Sequence, residues 1–180
     1  MKGIIFVEFL EMVEKKFGLE TEDRIIEMSA LPSGGAYTSV GTYDHAELLK
    51  LAACLSDLTG RPTDELVAAF GRHLFGKLVE LHGQMLENIP DVFTFLGQVE
   101  SAIHVEVKKL YPDAELPRFS YQFPDSHHME ITYQSPRPFA SLALGLMQGA
   151  IDFFDEPVRI QSVRPDEGNG NNARFVLTRG

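Results

Sequence analysis

The chain is 180 residues long, 44% hydrophobic and 23% charged, a globular balance that excludes disordered and collagen-like classes and suits one domain or two small subdomains sharing a core. A formal net charge of -10 with no Lys/Arg cluster argues against a nucleic-acid binder. The single cysteine, Cys54, can form no internal disulfide and belongs to no CxxC pair, which points to a reducing, cytoplasmic setting.

The apolar start, Ile4 to Val7, stops at Glu8 and is too short for a signal sequence. The uncharged stretch Pro138 to Ile151 covers fourteen residues, short of the roughly 20 that a bilayer span needs. Ile4, Ile5, Val7, Phe9, Leu10, Met12, Val13 and Phe17 form a helical stripe that Gly18 ends. Thr21-Glu22-Asp23 starts a short helix, and Leu31 to Gly41 is a loop. Asp44 and Glu47 stand at capping-box spacing ahead of a helix through Leu48, Leu51, Leu55 and Leu58 that ends near Gly60. The next helix begins around Arg61 to Glu65 and runs to His82-Gly83. Another spans about Asp91 to Leu110, closed by Pro112 and Pro117.

The period then changes. Arg118 to Phe123 and His128 to Tyr133 read as strands joined by Pro124-Asp125-Ser126. A helix rich in small residues runs from Phe139 to Phe154, followed by strands around Val158 to Arg164 and Ala173 to Thr178 with a turn between them at Pro165 to Asn172. The expected class is α+β: a helical N-terminal lobe, about 1–60, packed on a C-terminal lobe, about 61–180, with an antiparallel sheet and helices.

Two features carry chemistry. On a continuous helix, Phe93, Gly97, Glu100 and Ser101 share or border the face of His104. Gly97 thins that face, so a planar cofactor could lie close, and a neutral imidazole is a common axial ligand to heme iron. In an extended Tyr133-Gln-Ser135-Pro-Arg137 segment, a phenol, a hydroxyl and a guanidinium face one side and suit a pair of carboxylates, or else simply tie down a strand end. His127 and His128 point to opposite faces of a strand, poor geometry for one metal. No GxSxG, HExxH, P-loop or GxGxxG is present. An enzyme using His104 as general base lacks an orienting carboxylate other than Glu100, one turn away.

Together, the Met-Lys-Gly-Ile-Ile start, Phe70-Gly71-Arg72, the His104 helix, Pro117, Tyr133-x-Ser135-x-Arg137 and Leu144-Gly145-Leu146 resemble the heme-nitric oxide/oxygen binding (H-NOX) family of bacterial stand-alone sensors and of soluble guanylate cyclase. The resemblance runs to about Ile160. It implies a non-enzymatic domain with heme b between the two lobes, His104 as its proximal iron ligand, and Tyr133, Ser135 and Arg137 on the propionates. It further implies that Pro117 and Ile5 distort the porphyrin, with Leu146 also against the heme. Oxygen-binding members resemble this chain but carry a tyrosine where Leu142 stands. The matching distal positions here, Phe9, Leu74, Leu78 and Leu142, are all apolar, and Tyr37 and Tyr121 lie elsewhere in that registration.

The resemblance therefore implies a nitric oxide sensor that excludes oxygen, with carbon monoxide a second ligand. Its partner in trans would be a histidine kinase or a cyclic-di-GMP enzyme. Other readings are an oxygen or redox sensor on the same fold, and a heme-free small-molecule binding module using the apolar pocket and Arg137.

Overall fold

Gly3–Phe17 forms α1 and Leu19–Ser29 forms α2. The computed structural model describes residues 1–163 and 170–180. Gly18, at φ 91°, breaks the chain between the two helices. Its carbonyl accepts the N–H groups of Thr21 and Glu22, so α2 starts two residues before the expected Thr21, whose hydroxyl goes to the Phe17 carbonyl. The N-terminus is pinned to the 38–43 loop. The Met1 amino group donates to the Tyr43 carbonyl and the Gly3 N–H to that of Gly41. A Cβ on Gly3 would lie 1.9 Å from the Thr38 carbonyl oxygen, so only glycine permits this approach.

His45–Thr59 forms α3, with Asp44 accepting from the Ala46 N–H as its N-cap. The capping box is only half made: buried Glu47 turns inward and accepts from the hydroxyls of Ser33 and Tyr37. Thr63–His82 forms α4, and a short 3-10 turn follows at Gly83–Leu86.

The single helix expected over Asp91 to Leu110 is interrupted. Val92–Gln98 is α5, Val99–Ile103 is a π-helical turn, and His104–Leu110 is α6. The strands are β1 (Arg118–Asp125), β2 (His128–Gln134), β3 (Val158–Val163) and β4 (Asn172–Arg179), with α7 (Ala140–Phe154) between β2 and β3. They form one antiparallel sheet in the order β1-β2-β4-β3. The turn expected over Pro165 to Asn172 falls mostly outside the described residues. No described helix is long and apolar enough to cross a membrane.

Buried side chains gather in two clusters. One joins α1, α2 and α3 to the first half of α4 through Phe6, Phe9, Ile25, Leu51, Leu55, Phe70 and Leu74. The other packs α5 and α7 on the sheet through Phe93, Leu96, Met129, Ile131, Tyr133, Met147 and Phe175. Helices α4 and α7 cross at glycine contact. A Cβ on Gly145 would meet the Ala68 carbonyl oxygen at 2.0 Å, and one on Gly71 the Leu142 carbonyl oxygen at 2.4 Å.

Candidate functional site

A cavity of about 350 Å³ opens where the two clusters meet. Ile5 reaches it from α1, Leu74 and Leu78 from α4, and Leu142 and Leu146 from α7. His104 enters from the start of α6, Pro117 from the loop after α6, and Tyr133, Ser135 and Arg137 from the end of β2 and the bend beyond it. Ten of the eleven expected residues are thus brought together. Phe9 is not: it is fully buried behind the wall, edge-on to Phe70 at 5.2 Å between ring centroids.

His104 is held on two sides. Its Nδ1 lies 3.1 Å from Glu100 Oε2, and its ring is tilted against Phe119 at 5.7 Å between centroids. Burial pulls its pKa below the ordinary imidazole value, against the opposing pull of Glu100. The ring therefore favours the neutral form, which is the form that ligates a metal.

The remainder of the expected His104 face differs. Phe93 lies under the Arg179 guanidinium at 4.3 Å. Gly97 sits against Phe123, Ser101 is exposed, and none of the three lines the cavity. The π turn, with its i→i+5 bonding, shifts the helix face, so Val99, Ile103 and Val107 accompany His104 instead.

The Tyr133–Arg137 segment is extended only as far as Gln134 and then bends. Its hydroxyls partly serve the bend: Ser135 Oγ accepts from the Arg137 N–H at 3.1 Å, and the Tyr133 hydroxyl donates to the Arg137 carbonyl at 3.4 Å. The Arg137 guanidinium lies at the cavity and is paired with the Glu115 carboxylate. The mouth is thus built to take a carboxylate. Neutral buried imidazole, apolar walls and a cationic mouth together fit heme, whose iron needs a nitrogen donor and whose propionates need a cation. A wider groove along α4 and α7, about 950 Å³, is open and rimmed by Lys16, Asp64, Glu65, Arg72 and Asp152.

Glu115 and two further polar residues in the cavity, Tyr121 and His82, were not among the expected site residues. Tyr121 lines the cavity, although it is not one of the expected distal positions. Its buried hydroxyl has no hydrogen-bond partner, and burial pushes its pKa up to about 12. Strand alternation carried the signal, since Phe119 and Tyr121 share a face and pair across to Tyr133 and Ile131. His82 also lines the cavity, one helical step of four beyond Leu78 on α4. Tyr37 does not: its hydroxyl donates to Glu47 at 2.8 Å.

Comparison with known proteins agrees with this geometry. Residues 2–162 match the family model described as Haem-NO-binding. The chain belongs to the haem-NO-binding (H-NOX) family. It is accordingly a heme-binding gas-sensor domain of α+β fold and not an enzyme.

The unliganded Fe(II) H-NOX protein from K. algicida is 38% identical, with a TM-score of 0.94, covering 100% of this chain and 97% of that one. The H-NOX from Shewanella woodyi, solved with IWP-051 in the Fe(II)CO state, is 42% identical with a TM-score of 0.83, covering 100% and 95%. The S. oneidensis H-NOX protein in the Fe(II)NO state is 26% identical with a TM-score of 0.88, covering 100% and 99%. No match was found among curated proteins.

Proposed function

We propose that this H-NOX domain is a nitric oxide sensor that excludes oxygen and signals in trans through the His104–iron bond. The apolar set Leu74, Leu78, Leu142 and Leu146 around the cavity carries this reading. A polarised oxygen complex needs a hydrogen-bond donor, and these side chains offer none. Tyr121 belongs to the His104 side, since it shares a strand face with Phe119, whose ring lies against His104.

Ferrous heme supplies the binding of nitric oxide and carbon monoxide, the ligands named for the S. oneidensis and S. woodyi proteins. His104 holds the iron through Nε2, its Nδ1 being engaged by Glu100. Arg137, with Ser135 and Tyr133, holds the propionates, Glu115 giving way at Arg137. Pro117 and Ile5, which line the cavity, would bear on the porphyrin. Bound heme would supply the iron for which nitric oxide competes with His104, and His104, as the first residue of α6, would pass its release to that helix. The 1–60 lobe then shifts against 61–180, giving two states that a ligand biases. We assign the protein to the cytoplasm, with a histidine kinase or cyclic-di-GMP enzyme as the partner that reads the shift.

The test is the visible spectrum of purified, reduced protein. A Soret band that moves with nitric oxide and stays put in air is expected. A stable oxygen complex would overturn the selectivity. Absence of a Soret band even after heme is added would overturn the heme assignment and favour a heme-free ligand module. His104→Gly should uncouple heme state from partner output, and retention of gas control in that variant would sink the mechanism.

A further inference from the structure

We propose that Glu100 is a positioning residue for His104 that sets how firmly the imidazole holds the iron and hence how readily nitric oxide releases it. This rests on the heme reading above. Glu100 Oε2 lies 3.1 Å from His104 Nδ1 and also accepts the backbone N–H of Phe119 at 3.3 Å. The carboxylate is therefore anchored by strand β1, an element outside the His104 helix, and does not merely follow the imidazole.

Phe119 is itself fixed, its ring tilted against those of His104 and Tyr133 at 5.7 Å each. The two ends of the contact belong to different segments: Glu100 lies in the π turn and His104 is the first residue of α6. A π turn inside a helix frequently falls at a functional site. Here it delivers both side chains to the same point, with Ile103 and Val107 against the cavity.

The chemistry follows from the imidazole. A carboxylate accepting the Nδ1 proton selects the tautomer whose Nε2 lone pair is free for the metal. It also fixes the ring plane and increases the electron density that Nε2 donates. Both effects strengthen the iron–histidine bond. A neutral or absent acceptor at position 100 weakens it, and the imidazole dissociates sooner when nitric oxide competes from the other face.

The experiment uses the full chain loaded with heme, as wild type, Glu100→Gln and Glu100→Ala. In the reduced, unliganded state, the iron–histidine stretching band in resonance Raman is expected to move to lower frequency in both variants, further in Glu100→Ala. After nitric oxide is mixed in, the Soret shift that reports loss of His104 should occur about tenfold faster in Glu100→Ala, with Glu100→Gln between that and wild type.

Glu100→Gln keeps the side-chain volume and an acceptor for the Phe119 N–H, so it isolates the charge. Unchanged stretching frequency and release rate in heme-replete Glu100→Gln would overturn the proposal, whether or not Glu100→Ala retains heme, and would leave Glu100 as a strand tie only. If wild type itself shows no iron–histidine band, the heme reading fails instead, and the proposal falls with it.

Discussion

His73 on α4 faces Glu8 on α1, with Nε2 and Oε2 3.5 Å apart, both atoms buried and neither within a hydrogen bond. Desolvation by burial is the largest influence on the imidazole and, helped by Lys15 and Lys77 and opposed by Glu8, holds its pKa below the ordinary 6.5. The unfolded chain then binds this proton more readily than the folded one. Stability is therefore full above the ordinary value and declines as pH falls through 6.5 toward the lowered one. Urea melts of apoprotein at stepped pH should show that decline, with a shallower slope in His73→Gln. His104 shifts in the same direction, so the variant should keep part of the slope. An unchanged slope would mean that His73 titrates in the folded protein as it does in the unfolded chain.

At the scale of elements, the α4–α7 crossing depends on absent side chains. Gly145→Ala would place a methyl 2.0 Å from the Ala68 carbonyl oxygen and 2.9 Å from the Gly71 Cα. Those are backbone atoms, so the helices must separate, at a cost of about 1–3 kcal/mol. Gly76, also on α4, has nothing within 4 Å of an added Cβ, and Gly76→Ala should stabilise by about 0.5–1 kcal/mol through helix propensity alone. Thermal melts of the two variants should move in opposite directions. Two losses of similar size would show that the crossing is not what Gly145 protects.

Element boundaries were largely legible from local chemistry. Asp44 caps α3, Gly18 and Gly60 end their helices, and β2 alternates with Met129, Ile131 and Tyr133 buried. The π turn was not legible, because a wide turn needs only one extra residue, and neither composition nor apolar spacing marks where it falls.

For the whole molecule, the cavity belongs to neither cluster by itself. Helix α4 supplies Leu74 to one and Phe75 to the other, so the two share a wall and any relative movement passes through it. One polar contact spans the arrangement from outside. Lys2 Nζ lies 2.9 Å from Asp113 and 3.2 Å from Thr42 Oγ1, over the Tyr111 ring, and so ties the first residues to the loop beyond α6. The contact holds the exposed Asp113 carboxyl below its usual pKa. Lys2→Met should lower the thermal midpoint slightly at low salt, and the loss should vanish near ~1 M salt, where charges are screened. A loss that persists in salt would assign the contact to packing on Tyr111.

By itself, the sequence determined the α+β class, the helix caps, the strand alternation and the candidacy of His104, Pro117, Leu142 and the Tyr133–Arg137 motif. The class, the caps, the alternation, His104 and the Tyr133–Arg137 motif follow from short-range periodicity and from the chemistry of residue types, both of which a chain carries locally, whereas Pro117 and Leu142 were candidates only through the family resemblance. Only tertiary structure decided that Glu100 and Phe119 brace His104, that Arg137 meets Glu115, that Phe9 stands behind the wall, and that Tyr121 and His82 enter the cavity. The reason is geometric. The cavity is the intersection of surfaces from α1, α4, α6, α7 and the sheet, and which side chains reach it depends on crossings and a π turn that no single segment encodes.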